Sequence, residues 1–418
     1  MSKDLFDVVV VGGGPAGATA AEKLAEKGYS VMLLDRAGRI KPCGGAIPPR
    51  LVRDYEIPDE LLCAHINEAR MVSPTDRFVD IPIENGYVGM VNREEFDEFL
   101  RARAAEKGAH RRTGTFRELA RADDGRPVIV YTTKDGEEHR VLARMVIGAD
   151  GARSAVAKQA LNGAMTKSVF AYHEIIEAPD DGETFDGKRC EVYYQGKLSP
   201  DFYAWVFPHG KTASIGVGSA HKGFSLRGAV RELREKQRLD GCRTVRTEGA
   251  PIPLKPLKKW DNGKDVIVVG DAAGVVAPCS GEGIYYAMHC GEMAADGVAE
   301  ALATGEARKH LAAVRKRYMK THGKVFMALG VLQWFWYGND KRRERFVTMC
   351  EDKDVQQLTF DAYMNKELVR RKKAAHLKVA MKDIAHLLEI VRPTGDDACP
   401  KGLWMRPAPV PEAMREAR

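Results

Sequence analysis

A chain of 418 residues, 44% hydrophobic and 29% charged, can bury a large core and has the composition of an ordinary soluble globular protein. Its formal charge of +7 is spread along the chain, and the densest basic cluster, Lys341-Arg342-Arg343, is broken by Glu344, so a nucleic-acid-binding arm is excluded. Eight scattered cysteines, without a CxxC pair or metal-ligand spacing to the histidines, exclude a disulfide framework and a metal site and point to a cytoplasmic setting.

The opening MSKDLFDVVVVGGG enters a strand within a few residues, so neither a cleavable signal nor a transit peptide is expected. From Asp7 the chain spells a β-branched strand, a glycine turn, an alanine-rich helix and a second strand. Gly12, Gly14 and Gly17 satisfy GxGxxG: the first permits the tight turn, the second admits a pyrophosphate to the backbone, and the third lets helix and strand approach. Pro15 and Ala16 open the helix, whose free N–H groups and dipole favour phosphate. Asp35, followed by Arg36, ends the second strand where a ribose-binding acid is expected. The motif alone does not choose between FAD and NAD.

Lys41-PCGGAIPPRL follows, and its Gly44-Gly45 pair makes a loop able to lie against a flat cofactor with Cys43 at the edge. Asn92-REEFDEFLRARAAEKG predicts a helix with Asn92 and Glu95 in a capping box and a core face of Phe96, Phe99 and Leu100. Arg93 lies in its first turn, where a surface position is one reading. Met145-VIGADGARSAV runs a strand into Asp150-Gly151 and then into a helix opened by Arg153-Ser154. Between about 166 and 255, Val-, Tyr- and Ile-rich runs alternate with turn signals, which predicts an antiparallel sheet. Within it Pro200-DFYAWVFP puts Tyr203, Trp205 and Phe207 on one face, either plain core or the floor of a slot for a long apolar substrate.

Trp260-DNGKDVIVVGDAAGVVAPCSGEGIYYAM is again strand, acid, glycine-rich loop and helix start. Gly270 and Asp271 close the strand, Asp271 in reach of a sugar-like chain, and Gly281, Gly283 and Ile284 let the backbone pass a flat ring. Val325 to Tyr337 is the longest apolar stretch, too short for the ~20 residues of a spanning helix. It reads as tunnel lining, interfacial anchor or core, and the aromatic run Trp334 to Tyr337 beside basic residues suits a membrane interface.

The segments at 7–36, 145–156 and 260–288, in that order and at those separations, resemble the FAD proteins built on the hydroxybenzoate-hydroxylase fold. The resemblance implies an α/β architecture: a Rossmann-like FAD-binding domain (1–70, 90–165 and 256–305), an interleaved antiparallel β-sheet substrate domain (71–89 and 166–255) and a helical C-terminal extension (306–400); the tail at 401–418 lies outside the likeness, and its composition predicts disorder. It makes FAD the cofactor, held by Gly12, Gly14, Pro15, Ala16, Gly17, Asp35 and Arg36 in the first segment. It adds Cys43, Gly44, Gly45 and Arg93, then Asp150 and Gly151, then Gly270, Asp271, Gly281, Gly283 and Ile284.

The pattern PxxYxWxFP at Pro200–Pro208, with the cysteine–glycine loop at 43–45, is similar to the signature of geranylgeranyl reductases, and the stretch from Thr321 to Lys366 resembles their chlorophyll branch rather than the archaeal lipid branch. That likeness implies an NADPH-dependent flavin oxidoreductase that reduces three of the four double bonds of a geranylgeranyl group, on a (bacterio)chlorophyllide ester or on diphosphate, to phytyl. Cys43, Tyr203 and Trp205 are then the catalytic candidates, and Tyr203, Trp205 and Phe207 the substrate wall. No second GxGxxG domain is seen, so NADPH docks transiently, or a ferredoxin supplies electrons. A peripheral position on the photosynthetic or cytoplasmic membrane fits this substrate. The alternatives are an archaeal-type ether-lipid reductase, an aromatic hydroxylase of the same fold, or a non-catalytic carrier; Cys43 is otherwise an inert buried thiol.

Overall fold

The run LFDVVVV forms strand Leu5–Val11, buried on both faces, which is why it reads as continuous rather than alternating apolar sequence. The computed structural model describes residues 5–357 apart from 37, 39, 84, 85 and 183. Leu5–Val11 lies in a seven-stranded sheet ordered His110–Thr113, Val31–Asp35, Leu5–Val11, Glu138–Gly148, Pro127–Thr132, Thr115–Arg121, with Val266–Val268 also pairing to Glu138–Gly148. The first four strands and Val266–Val268 are parallel; the last two form an antiparallel meander. Strands ending at Val11, Asp35, Gly148 and Val268 therefore release their loops at one edge, the carboxyl edge where open α/β sheets bind ligands.

Helices Pro15–Glu26, Arg93–Glu106 and Ile284–Thr304 belong to the core built around that sheet. The first and third meet backbone to backbone, since a Cβ on Gly291 would lie 2.2 Å from the Ala16 carbonyl oxygen. Helix Arg93–Glu106 buries Phe96 and Leu100 as expected, with Phe99 packed at the edge. The capping box expected at its start is not formed: the Asn92 side chain makes no capping hydrogen bond. Glu94 and Glu95 instead place negative charge at the positive end of the helix.

The second sheet is ordered Thr244–Pro253, Ser168–Glu177, Thr212–Ser219, Ala204–His209, Arg189–Tyr193, Glu68–Val72, Phe78–Pro82. It is antiparallel except where Arg189–Tyr193 meets Glu68–Val72. That pair is parallel because its strands come from distant parts of the chain, free of any hairpin connection. One face, with Ala204, Val206, Ile215 and Val217, packs with Ala229, Val230 and Leu233 of helix Leu226–Lys236. The other face carries Trp205, Phe207 and His209. A small third sheet joins Ala46–Ile47, Val88–Val91 and Leu62–Ile66.

The chain continues as the 30-residue helix Ala307–Trp336 and helix Asp340–Met349. Gly297 lets the long helix close on Ile284–Thr304, because a Cβ there would lie 2.3 Å from Val314 Cγ2. The expected helical extension beyond residue 357 and the disordered tail at 401–418 lie outside the described residues.

Candidate cofactor and substrate site

Three glycines of the first turn have separate causes. Gly12 has φ +108°, and a Cβ on it would lie 2.3 Å from the Ala149 carbonyl oxygen; on Gly17 it would lie 1.8 Å from the Gly12 carbonyl oxygen. Both are demanded by the protein's own packing. Gly14 is different: an added Cβ meets nothing within 4 Å, and φ is an unremarkable −75°. Gly14 is the N-cap of helix Pro15–Glu26, no side chain caps that helix, and Pro15 occupies its start. Open space faces uncapped first-turn N–H groups, the cradle a pyrophosphate needs.

Asp35 lies at this edge, with Oδ1 accepting from the Arg36 amide at 2.7 Å and Oδ2 from Arg101 at 3.0 Å. Arg101 also donates to the Gly13 carbonyl at 3.3 Å, so it fastens the glycine turn to the acid. Sequence reasoning missed Arg101, which stands in a helix with no motif around it. Asp150 spends its carboxylate on the start of helix Ala155–Ala160, accepting from Ser154 Oγ at 2.5 Å and from the Ala155 and Val156 amides at 2.7 and 3.1 Å. Burial nevertheless pushes this carboxyl upward. Gly151 beside it has φ +87° and open space where a Cβ would stand.

Gly270, at φ +61°, packs on Ala16, and Asp271 accepts from Lys41 Nζ at 2.5 Å. Lys41, another residue missed, thereby ties the 41–45 loop to the 270–283 loop. Gly283 is the N-cap of Ile284–Thr304, and a Cβ on it would stand 3.7 Å from Asp271 Oδ1. Gly281 has φ +66° and lies against Phe202 and the Tyr203 hydroxyl.

Cys43 Sγ accepts from the Gly45 amide at 3.4 Å. Arg93 is buried, paired with Asp97 through two hydrogen bonds of 2.9 and 2.8 Å. Burial works to lower its pKa, but Asp97 and the Cys43 sulfur outweigh that and keep the guanidinium charged. The surface alternative for Arg93 is thus set aside. Gly45, at φ +73°, lies so close that a Cβ would meet His209 Cε1 at 2.4 Å. His209 Nε2 in turn sits 3.1 Å from the Gly44 carbonyl oxygen and Nδ1 3.6 Å from Cys63 Sγ. Burial lowers His209 to about 4 against the opposing pull of that carbonyl, so Nε2–H donates from a neutral ring.

Tyr203, Trp205 and Phe207 stand in a row, ring centroids 5.9 and 6.1 Å apart. The row faces the 43–45 and 277–283 loops: a Cβ on Gly44 would stand 3.1 Å from Phe207, and the Tyr203 hydroxyl donates to the Ser280 carbonyl at 2.5 Å. Burial pushes the Tyr203 phenol up, so it stays protonated. Room for the rings comes from the neighbouring strand, where Cβ atoms on Gly216 and Gly218 would stand 2.2 Å from Trp205 and 2.6 Å from Phe202. Trp205 Nε1 donates to Ser214 Oγ at 3.1 Å, and His173 Nδ1 is 2.9 Å from the same oxygen. His173 Nε2 lies 3.0 Å from Glu248 Oε2. The period-two glycines were a readable sign of this seat. His209 was readable too, as the next member of the 203, 205, 207 face.

The sequence profile of the family described as FAD binding domain matches residues 6–319. The chain is 55% identical over 389 residues to the geranylgeranyl diphosphate reductase of Rhodobacter capsulatus, covering 93% of this chain and 99% of that protein. It is 31% identical over 340 residues to the digeranylgeranylglycerophospholipid reductase of Methanocaldococcus jannaschii, covering 78% and 85%. Among solved structures, a geranylgeranyl bacteriochlorophyll reductase-like protein of Thermoplasma acidophilum superposes with a TM-score of 0.76 at 21% identity, over 89% of this chain and 99% of that one. At that identity the likeness speaks for the fold.

Proposed function

This chain belongs to the geranylgeranyl reductases within the FAD-binding-domain family, and from that membership we propose that it saturates three of the four double bonds of a geranylgeranyl group to give phytyl. The group is carried on a (bacterio)chlorophyllide ester or on diphosphate, and NADPH supplies the electrons. The observation that carries this reading is the row of Tyr203, Trp205 and Phe207 laid against the 43–45 and 277–283 loops. An isolated trisubstituted alkene has no carbonyl to accept charge, so its reduction needs alignment, dryness and an acid.

FAD would be held at Gly14 and along the Asp35, Asp271 and Gly281–Gly283 edge, and when bound would supply the hydride chemistry. The aromatic row holds the polyene flat, keeps water out, and offers π faces to cationic character on the carbon being protonated. The Tyr203 hydroxyl already donates its hydrogen bond to the Ser280 carbonyl. Cys43, beside Arg93 at the loop edge, is therefore assigned proton delivery. Arg93, itself held by Asp97, interacts with the sulfur.

Identity of 55% to a geranylgeranyl diphosphate reductase against 31% to an archaeal lipid reductase favours the first substrate class over ether lipids. Among the described residues no helix is long and apolar enough to cross a membrane, and a peripheral position on the photosynthetic or cytoplasmic membrane is part of the proposal. The test is an anaerobic reaction of reduced protein with geranylgeranyl-bacteriochlorophyllide and with geranylgeranyl diphosphate, products resolved by mass. Gains of two, four and six hydrogens on the pigment support the full reading, and gains on diphosphate alone move the carrier. Reduced flavin that persists beside both unaltered substrates overturns it.

A further inference from the structure

Helix Ala307–Trp336 contains no Asp or Glu, and its exposed side is divided along its length. Lys316, Lys320 and Lys324 are exposed at four-residue steps, and none makes an ion pair among the described residues. One turn further along the same face the side chains become apolar: Met327, Val331 and Trp334 are 69, 57 and 76% exposed. Spacings of three and four residues keep all six on one stripe. The opposite side is buried through Leu311, Val314, Tyr318, Val325 and Phe326. Water is a poor partner for an apolar half-stripe of this kind, and an acidic protein groove would leave it unsatisfied. A bilayer with anionic headgroups suits both halves, taking large apolar side chains and tryptophan at its interfacial zone and lysine along its surface.

The stripe also adjoins an opening. A cleft of about 420 Å³ beside Trp334 is lined by Pro200, Asp201, His221, Gly330 and Tyr337 among others. Tyr337 belongs both to this cleft and to the aromatic cluster behind it. Its hydroxyl donates to the Cys279 carbonyl at 3.0 Å, and its ring lies 5.4 Å from Tyr194, itself 6.2 Å from Tyr203. The apolar end of the stripe and the approach to the aromatic row thus share one region of the surface.

We propose that this face of the long helix is a lipid-docking surface. Met327, Val331 and Trp334 enter the interfacial zone of an anionic bilayer, with Lys316, Lys320 and Lys324 along the headgroups. Docking in this pose turns the cleft beside Trp334 toward the lipid, where a long apolar substrate resides. The passage of substrate rests on the reductase reading; the docking does not.

The experiment is flotation of the full FAD-loaded chain with vesicles of phosphatidylcholine alone and of phosphatidylcholine mixed with phosphatidylglycerol. Wild type is expected to float with the mixed vesicles and to lose binding in high salt. Replacing the three lysines together (Lys316→Gln, Lys320→Gln, Lys324→Gln) should weaken binding about a hundredfold, at about fivefold per surface lysine. Met327→Glu with Val331→Glu should abolish it. The variants should keep their flavin and their turnover of detergent-dispersed substrate, and Lys134→Glu on a distant turn should change nothing. Bromine-labelled lipid should quench tryptophan emission in wild type and much less in Trp334→Phe. Wild type that ignores anionic vesicles, or variants that float as wild type does, overturn the proposal. So does a dimer in solution that the same substitutions dissociate, which assigns the stripe to a second copy. Wild type that floats but reduces no prenyl group sinks the reductase reading alone.

Discussion

Gly14→Val and Gly17→Ala test whether the first glycine is kept for the cofactor and the second for the fold. At Gly17 a single methyl would stand 1.8 Å from the Gly12 carbonyl oxygen, where real Cβ contacts stay beyond 3.0 Å. Helix and strand must part by about 1 Å in a close-packed core, a disruption of about 3 kcal/mol or more. At Gly14 an added Cβ meets no protein atom within 4 Å, and φ of −75° is open to any residue. The folded protein should therefore change by about 1 kcal/mol or less, with loss of unfolded-chain freedom partly offsetting the poorer cap. On the proposed reading, the space the valine takes is the space of the pyrophosphate. Purified Gly14→Val should fold, lack the flavin absorbance, and show a melting temperature that added FAD does not raise, whereas FAD at a hundred times its Kd adds about 3 kcal/mol to the wild type. Gly17→Ala should be poorly soluble or melt early with FAD present or absent. A Gly14→Val protein with one flavin per chain would falsify the cradle. A Gly14→Val protein that fails to fold would refute the inference from open space.

Trp205→Phe keeps a ring in the row but removes the N–H donated to Ser214, so it should retain FAD and lower prenyl reduction more than NADPH oxidation; equal effects on the two rates count against a substrate wall. Gly216→Ala, which drives a methyl to 2.2 Å from the indole, should copy that phenotype and cost about 2 kcal/mol in urea unfolding. Cys43→Ser should leave flavin content intact and slow product formation in single-turnover reduction, and wild-type rates there would return Cys43 to a structural role. His209, lowered by burial to about 4 from 6.5, supplies stability that is complete above pH 6.5. As the pH falls toward 4 the unfolded chain binds the proton and the folded one does not, so about 3 kcal/mol should be lost across that window. His209→Gln should flatten that part of the profile, and an unchanged slope would assign the loss elsewhere.

The order of cofactor segments was legible because each combines a strand, a glycine turn and a helix start, features fixed by local backbone chemistry. The row at 203, 205 and 207 was legible because a strand alternates its faces. The parallel pair between Arg189–Tyr193 and Glu68–Val72 was not, since nothing local to either strand names a partner more than a hundred residues away. Arg101, Lys41 and the Ser214–His173–Glu248 chain stayed hidden for the same reason: each acquires its partner only when separate segments meet. Asn92 shows the reverse error, where a local signal was present and the helix began without using it. At Val325–Tyr337 three readings stood open because an apolar run does not say which of its sides faces inward. Burial divides it: Val325, Phe326, Trp336 and Tyr337 point in, Met327, Val331 and Trp334 point out.

The seam between the two sheets explains why the candidate site needs so many contacts of unlike kinds. The cofactor edge is set by backbone: Gly12, Gly17 and Gly291 permit approaches that any Cβ would block, which makes that half rigid. The substrate half is set by side chains lying on a strand, and rings on a strand are free to turn unless something holds them. Trp205 is held by Ser214, Phe202 and Trp205 are seated over Gly218 and Gly216, and Tyr203 is tied across the seam to Ser280. His209 reaches the same way to Gly44, and Lys41 joins the two cofactor loops through Asp271. The Ser214 bond fixes Trp205 within its own sheet, and the ties of Tyr203, His209 and Lys41 fix rings and loops relative to the rigid half, the condition for holding a featureless polyene in register with a reacting atom. A hydrocarbon chain offers no polar group to grip, so its alignment has to come from walls that do not move.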